Sequence, residues 1–225
     1  MSTKTAAVIG ATGMIGSYLV ETLINDPYFE TIRVIVRRPF TKSSPKIEVK
    51  LVDFADYESL KLAIDGSDAL FCAIGTTQKN VNRDKDLYRT IDFDIPVKAA
   101  RICGETGCNK FVIVSSIGAN NQSSNFYLKL KGELETELEQ TAAQKTEAVH
   151  IMQPSMLLGE RKEKRTGERV MQGVMKGISF LLAGSLRKYK PIHGKDVARA
   201  MVQASKTDAP GIFRYTYDEI KMMAR

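Results

Sequence analysis

The chain has 225 residues, of which 43% are hydrophobic, and a formal net charge of +7. This length is enough to bury one sizeable core, so we expect a single domain over residues 1–225. The basic residues are spread along the chain, with no helix of clustered Lys and Arg and no aromatic stacking platform, which argues against a nucleic-acid binder.

No stretch approaches the ~18 to 20 continuous apolar residues that span a bilayer. The apolar run "TAAVIGATGMIG" is broken by glycines where a signal peptide would continue. The sequence therefore predicts a cytoplasmic protein without a membrane partner. Cys72, Cys103 and Cys108 have neither CxxC nor His-rich spacing, so we expect core thiols, no disulfide and no metal site.

Runs of β-branched and apolar residues alternate with segments of helical periodicity. The runs are "TAAVIG", "IRVIVRR", "IEVKLVDF", "DALFCAIG", "KFVIVSSIG" and "EAVHIMQP". Between them, Ile15, Leu19 and Leu23 form the apolar stripe of a first helix, and "IPVKAARICGETG" forms another that closes at Gly107. This alternation predicts an α/β fold with a Rossmann-type, doubly wound parallel sheet.

The pattern changes after Pro154. The segment "GERKEKRTGER" is polar, "VMQGVMKGISFLLAG" and "KDVARAMVQAS" have helical periodicity, and "GIFRYTYDEIKMMAR" predicts a strand followed by a last helix. We expect a small C-terminal substrate lobe, built mainly from residues 155–190 and 205–225, over the carboxyl edge of the sheet.

The motif "VIGATGMIG" places three glycines between the first strand and the first helix. Without side chains at Gly10, Gly13 and Gly16, backbone N–H groups and the helix N-terminus can approach a pyrophosphate. The alternative is that the glycines only permit a tight turn and close packing. The order of strand, loop and helix favours dinucleotide binding.

The second predicted strand ends in "VIVRRP", where a site for NAD would need a carboxylate. Arg37 and Arg38 instead predict contacts with the 2′-phosphate of NADP(H), unless they are simply solvated at a strand end. Asp53 and Gly75, which end the third and fourth predicted strands, would lie beside the adenine and the ribose. Alternatively, either residue could be present only because the turn after its strand requires it.

Tyrosine is followed by lysine in a Tyr-xxx-Lys pattern at Tyr57/Lys61, Tyr127/Lys131 and Tyr217/Lys221. Only the middle pair follows the fifth strand, and ligands of open parallel sheets bind at the carboxyl ends of the strands. Residues spaced by four share a helix face, so the Lys131 ammonium would favour ionisation of Tyr127 and equip it for proton transfer. Alternatively, this helix is amphipathic, with solvated Lys129/Glu133 and Lys131/Glu135 pairs.

These motifs resemble those of the atypical short-chain dehydrogenase/reductases, and within them the Tat-interacting-protein-like NADPH-binding oxidoreductases. The resemblance covers most of the chain and is carried by "GATGMIG", "VIVRRP", "FCAIGTT", "VSSIGANNQSSNFYLKLKGELE" and "MQPSMLLGERKEKRTGE", in family order.

The resemblance implies a role for several individual residues. It places Thr12, Gly13, Met14 and Ile15 on the pyrophosphate, Ile74 and Gly75 along the ribose, and Leu157 and Arg165 over the nicotinamide end. Tyr127 and Lys131 match the catalytic pair and also contact the cofactor. Ser115 and Ser116 both remain candidates for the catalytic serine, because in the larger reductase family this serine usually lies further before the tyrosine than the 11 residues that separate Ser116 from Tyr127. We favour Ser116.

The sequence thus predicts an NADPH-dependent oxidoreductase that transfers hydride to a small carbonyl substrate, acting as a monomer or homodimer. Too little chain follows Pro154 for the substrate domain of a sugar-nucleotide epimerase. A different class of protein also fits: a regulator that senses NADP(H) and signals to a protein partner without turnover.

Overall fold

The computed structural model describes residues 4–141, 146–159 and 184–225. The strands are β1 (Lys4–Ile9), β2 (Phe29–Val36), β3 (Ile47–Leu51), β4 (Ala69–Cys72), β5 (Lys110–Val114), β6 (Ala148–Met152), β7 (Leu157–Leu158), β8 (Ile192–His193) and β9 (Gly211–Tyr215). The helices are α1 (Met14–Asn25), α2 (Tyr57–Ile64), α3 (Lys85–Arg89), α4 (Ile95–Glu105), α5 (Phe126–Thr141), α6 (Gly194–Ala204) and α7 (Tyr217–Met223). A π-helical turn (Thr90–Asp94) joins α3 to α4, and a 3₁₀ helix spans Gly184–Tyr189.

Seven of these strands form one parallel sheet in the order β3-β2-β1-β4-β5-β6-β9. Strand β1 lies between β2 and β4, so the chain winds outward in both directions from it. In such a sheet the loops at the carboxyl ends diverge at this point and leave a crevice. The predicted Rossmann-type, doubly wound sheet is confirmed.

Helices cover both faces of the sheet, which explains why the central strands are buried throughout rather than alternating. On one face, α1 and α6 pack together, and the predicted stripe Ile15, Leu19 and Leu23 is buried there. On the other face, α2, α4 and α5 cover the opposite side of the same strands. The cysteines Cys72, Cys103 and Cys108 are buried thiols in this second layer.

The C-terminal segment differs from its predicted place in a separate lobe. Strand β9 pairs with β6 and extends the main sheet, with hydrogen bonds from Gln153 N–H to Tyr215 O (2.8 Å) and from Gly211 N–H to Glu147 O (2.9 Å). A short alternating strand carries no local signal that names its partner, so its sequence could not assign it to the sheet. Helix α7 then packs against α6.

The last third of the chain contains two further segments. The short strands β7 and β8 pair with each other beside the main sheet. The helix predicted over residues 170–184 and the preceding polar loop lie almost wholly outside the described residues. Within the described ranges, no helix is both long and apolar enough to cross a membrane.

Candidate active site

A cleft of about 410 Å³ opens at the carboxyl ends of β1, β4, β5 and β6. Its lining residues come from the loops after these strands, from the start of α1, from the π-helical turn and from α5. They are Thr12, Gly13, Met14, Ile15, Ser17, Ala73, Ile74, Gly75, Thr76, Thr77, Asn80, Asp92, Val114, Ser115, Ser116, Tyr127, Lys131, Pro154, Ser155 and Leu157. The cleft therefore occupies the crevice that the strand order creates.

The three glycines of the first loop have different tasks. Gly10 has a φ of +89°, and a Cβ on it would lie 2.5 Å from the carbonyl carbon of Ala73. A Cβ on Gly16 would lie 2.0 Å from Gly10 O. Close packing alone therefore requires glycine at these two positions. This agrees with the alternative interpretation of the motif, in which the glycines permit a tight turn and close packing. Gly13 has no such backbone overlap and lines the cleft itself.

The N-terminus of α1 faces the cleft without a side-chain cap. Gly13 occupies its N-cap position and offers no side chain to the first helical N–H groups. Side chains cap other helices of the fold: Asp56 caps α2, Asp84 caps α3 and His193 caps α6. The open N–H groups and the positive end of the helix dipole suit an anion, so this loop fits the pyrophosphate of a dinucleotide.

The expected contacts with the adenosine end lie outside this cleft. Arg37 and Arg38 follow β2 directly, are exposed, and have no hydrogen-bond or ion-pair partner within the described residues. Their position beside the end of β1 fits the 2′-phosphate prediction but does not test it. Asp53 is also exposed, and its Oδ1 accepts a hydrogen bond from Ala55 N–H (2.9 Å), which is the turn role held open for it.

Tyr127 and Lys131 both line the cleft from the first turns of α5. The other two Tyr-xxx-Lys pairs are engaged elsewhere. Tyr57 donates a hydrogen bond to Glu105 Oε2 (2.6 Å), and burial together with this bond raises the pKa of Tyr57 to about 12. Lys221 pairs with Asp196 on the outer surface. Only the middle pair shares a cleft with the α1 N-terminus.

Asp92 is a site residue that the sequence analysis missed. It lies in the π-helical turn, and its Oδ1 is 3.0 Å from Lys131 Nζ, with side-chain exposures of 2% and 4%. Burial by itself lowers the pKa of Lys131, but the charge of Asp92, aided by Tyr127, outweighs it and leaves that pKa raised. Lys131 therefore carries a buried positive charge at neutral pH.

A signal for Asp92 is present in the sequence. Tyr88, Asp92, Ile95 and Ala99 follow the spacing of one helical face, and an acidic residue on an otherwise apolar face must find a buried partner. This pattern indicates a buried carboxylate, although it does not identify Lys131 as the partner.

The two candidate serines have different surroundings. Ser115 is buried and donates its hydroxyl hydrogen to Glu135, which also accepts from Gln153 Nε2 (2.9 Å) and pairs with Arg214 (3.1 Å). Ser116 is half-buried, and among the described residues its Oγ makes only a long contact with Ile117 O (3.3 Å). The Ser116 hydroxyl is therefore the one that can turn to a ligand.

The structure also bears on the amphipathic alternative for α5 and on the other predicted cofactor contacts. Lys131 pairs with Asp92 and Glu135 with Arg214, so the alternative of a solvated Lys131/Glu135 pair on α5 was wrong. Ile74, Gly75 and Leu157 line the cleft, which fits but does not test their predicted contacts with the ribose and the nicotinamide end. Arg165 lies outside the described residues.

Comparisons with known proteins agree with this architecture. Residues 10–208 match a family model described as NAD(P)H-binding. Protein HTATIP2 from Rattus norvegicus is 31% identical over 75% of this chain and 69% of its own length. Protein FMP52-1, mitochondrial, from Scheffersomyces stipitis is 32% identical over 96% of each chain. Protein FMP52, mitochondrial, from Candida glabrata is 33% identical over 93% of this chain and 88% of its own.

Solved structures support the fold alone, because their sequence identities are low. A UDP-N-acetylglucosamine 4-epimerase from Methanobrevibacter ruminantium superposes with a TM-score of 0.69 at 16% identity, covering 96% of this chain and 77% of its own. MoeE5, in complex with UDP-glucose and NAD, gives a TM-score of 0.70 at 16% identity, covering 98% and 80%.

One expectation from the sequence was wrong. Both fungal relatives are named as mitochondrial proteins, which contradicts the prediction of a cytoplasmic protein. That prediction rested on the absence of an apolar leader, and an apolar leader is only one kind of targeting signal. The family itself follows from the length of the matches: the chain belongs to the NAD(P)H-binding family and, within it, to the atypical short-chain dehydrogenase/reductases.

Proposed function

We propose that the protein is an NADPH-dependent oxidoreductase that reduces a small carbonyl compound. The observation that carries this proposal is the meeting of two independent features in one cleft. One is the uncapped N-terminus of α1, which suits a pyrophosphate. The other is the group Ser116, Tyr127 and Lys131, which suits proton transfer to an oxygen atom.

The dinucleotide would lie across the carboxyl edge of the sheet. The backbone N–H groups of Met14 and Ile15, which begin α1, would hold the pyrophosphate together with that of Thr12, and Gly13 would lie against it. Ile74 and Gly75 would lie along the ribose, and Leu157 at the nicotinamide end. Arg37 and Arg38 would contact the 2′-phosphate, since the segment from Ile32 to Lys46 contains no carboxylate that could bind the ribose instead.

The side chains in the cleft would share the proton chemistry. When bound, the dinucleotide supplies a hydride to the carbonyl carbon. Tyr127 transfers its hydroxyl proton to the carbonyl oxygen, while Ser116 donates a hydrogen bond that orients this oxygen. The Lys131 ammonium donates to the ribose hydroxyls and stabilises the phenolate left on Tyr127.

The walls of the cleft favour a small, polar substrate. Beyond Tyr127 they carry Thr76, Thr77 and Asn80, whose side chains offer hydrogen bonds among apolar residues such as Leu157. The volume of about 410 Å³ lies near the lower end of ligand sites, ~300 to 1,000 Å³, and the nicotinamide end must share it. A short aldehyde or ketone with hydroxyl groups fits this space best.

The test is a screen of small aldehydes, ketones and quinones for NADPH consumption, run beside a direct NADPH binding titration. Turnover of at least one carbonyl that is abolished in Tyr127→Phe is the expected result. Tight NADPH binding with no turnover on any of them would contradict the reductase and favour the NADP(H)-sensing regulator.

A further inference from the structure

We propose that the carbonyl substrate of this protein carries a carboxylate, which Arg83 and Lys85 bind in a side pocket next to the cleft. The proposal rests on the proposed function, because it names the class of substrate for the same reaction. It adds a binding site that lies beyond the residues that transfer the proton and that decides which carbonyl compounds are accepted.

The side pocket has a volume of about 180 Å³ and adjoins the cleft. It is lined by Gln78, Arg83, Asp84, Lys85, Tyr88 and Phe126. In the loop after β4, Thr77 lines the cleft and the next residue, Gln78, lines the pocket. At the start of α5, Phe126 lines the pocket and Tyr127 lines the cleft. Whole ligand sites measure ~300 to 1,000 Å³, so this space fits one group of a substrate whose carbonyl lies beside Tyr127.

Two aromatic rings form a wall of the side pocket. Tyr88 and Phe126 pack edge to face, with their ring centres 5.5 Å apart. Tyr88 is 5% exposed, and its hydroxyl donates to Thr76 O (3.3 Å), which belongs to the wall of the cleft. Burial raises the pKa of the Tyr88 hydroxyl, so this ring stays neutral at physiological pH and does not repel a carboxylate. The wall suits the hydrocarbon part of a substrate that joins its carbonyl to its carboxylate.

Arg83 and Lys85 supply the positive charge of the pocket. Lys85 Nζ lies 5.6 Å from the centre of the Phe126 ring. Both side chains are exposed, and within the described residues neither has a hydrogen-bond or ion-pair partner. The Asp84 carboxylate also lines the pocket, but its Oδ1 already accepts from two N–H groups of α3 (2.9 and 3.0 Å). Two cations and one hydrogen-bonded carboxylate leave a net positive charge, which attracts an anion.

The backbone at Arg83 lies in the left-handed region. Its φ is +64° and follows a φ of +49° at Asn82. Asparagine tolerates this region, whereas arginine adopts it at a cost. The turn is held by a hydrogen bond from Arg83 N–H to Gln78 O (2.8 Å) and by the buried side chain of Val81. Such conformations cluster at ligand sites, and a ligand for the guanidinium explains why the position carries arginine rather than glycine.

The two cations are chemically suited to a carboxylate. The planar guanidinium of Arg83 presents parallel N–H groups that match the two oxygens of a carboxylate, and the Lys85 ammonium adds further donors. The aromatic wall favours a flat, partly apolar group over a strongly hydrated one. The substrate class is therefore an aldehyde or ketone that bears a carboxylate on a short hydrocarbon or aromatic frame.

The alternative is that both cations are solvated surface charges. The net charge of +7 would then attract any anionic compound without a specific contact. Lys79 separates the two interpretations. It is exposed in the same loop but is not among the residues that line the cleft or the pocket. Lys79→Gln therefore removes the same charge as Arg83→Gln without removing a contact.

The experiment measures kcat and KM for two acids and their methyl esters: succinic semialdehyde and terephthalaldehydic acid. In at least one pair, the wild-type KM should be ~10-fold lower for the acid, as for one charge-assisted contact at an exposed site. Arg83→Gln should remove this difference while kcat and the KM for the ester stay nearly unchanged. Lys85→Gln should raise the KM for the acid by only ~3-fold, because lysine makes no bidentate contact.

Lys79→Gln should keep the wild-type preference for the acid. Equal KM values for acid and ester in both wild-type pairs would overturn the proposal, and so would an equal loss of preference in Lys79→Gln and Arg83→Gln. Arg83→Gly is the second variant, because glycine adopts this φ freely and the turn is kept. It should lose the preference as Arg83→Gln does, and an Arg83→Gly variant that retains it contradicts the proposal.

A failure of the proposed reaction can be told apart from a failure of the pocket. If wild type binds NADPH but reduces no carbonyl, the reductase is wrong, and the NADPH-loaded protein is titrated with benzoate and with benzamide by calorimetry. The pocket requires that benzoate bind more tightly than benzamide to wild type and to Lys79→Gln, but not to Arg83→Gln. Equal binding of the two compounds to wild type would overturn the pocket.

Discussion

Ser115 donates its hydroxyl hydrogen to Glu135, whereas the hydroxyl of the adjacent Ser116 has only a 3.3 Å contact with Ile117 O in the part of the chain that the structure describes. Glu135 is held in turn by Gln153 and Arg214, so Ser115 belongs to a buried polar network that joins α5 to β6 and β9. Because of this difference, we expect substitution of one serine to affect catalysis and substitution of the other to affect stability.

Ser116→Ala should lower kcat by ~10-fold or more, because the carbonyl oxygen loses an orienting hydrogen bond. Ser115→Ala should leave kcat within a few-fold of wild type and lower the free energy of unfolding by ~1 kcal/mol. Steady-state kinetics and urea denaturation of both variants make the comparison. A larger kcat loss in Ser115→Ala would reverse the assignment.

Tyr127→Phe should reduce turnover by ~100-fold or more while NADPH affinity stays within a few-fold, because the lost hydroxyl transfers a proton. Tyr57→Phe and Tyr217→Phe are the matched controls, since each removes the same atom from another Tyr-xxx-Lys pair. Both controls should retain the turnover of wild type. Full turnover in Tyr127→Phe would show that Tyr127 does not transfer the proton.

Arg37→Ala combined with Arg38→Ala should remove most of the preference for NADPH over NADH. Charge-assisted hydrogen bonds contribute ~1.5 to 3 kcal/mol each, and at this exposed site one or two bonds at the low end give roughly 10- to 150-fold discrimination. NADPH binding should weaken and NADH binding should hardly change, because only the phosphate loses partners.

Titration of both cofactors at low and high salt checks this arginine prediction. Salt should weaken wild-type binding of NADPH more than that of NADH, since exposed ionic contacts are screened. Equal wild-type affinities, or a double variant that loses both cofactors alike, would show that the arginines do not read the 2′-phosphate.

His150 should make the stability of the protein depend on pH. Burial, and secondarily the nearby Lys110 charge, lower the pKa of this histidine from 6.5 to about 4. Its buried Nε2 has no hydrogen-bond partner among the described residues, while Nδ1 contacts Tyr215 OH at 2.9 Å. The folded state thus favours the neutral ring, and the unfolded chain binds the proton more readily.

The direction of this pH dependence follows from the linkage between proton binding and folding. The contribution of His150 is fully present above pH 6.5, is lost as pH falls toward 4, and amounts to roughly 2 kcal/mol between pH 7 and pH 5. Urea denaturation at these two pH values should show this loss in wild type and in His193→Asn, an exposed control. The loss should be smaller in His150→Asn, and an unchanged loss there would contradict the prediction.

Much of the fold and the outline of the cleft follow from the sequence. Alternating apolar runs, the loop from Gly10 to Gly16 and the position of Tyr127 after the fifth strand are local patterns, and the confirmed Rossmann sheet brings such loops to one edge. Local patterns therefore placed Gly13, Tyr127 and Lys131 at the cleft that the structure contains, and the family resemblance added Thr12, Met14, Ile15 and Ile74.

Other features depend on which distant residues the packing brings together. The sequence left Ser115 and Ser116 as alternatives, because their difference comes from Glu135 and Arg214, which reach Ser115 only after β9 joins the sheet beside β6. It gave no partner for Asp92, because the π-helical turn and α5 must pack before its carboxylate meets Lys131. Periodicity records which face of an element is buried, but the pairing of buried charges is decided by tertiary contacts, since only there does desolvation require a specific partner.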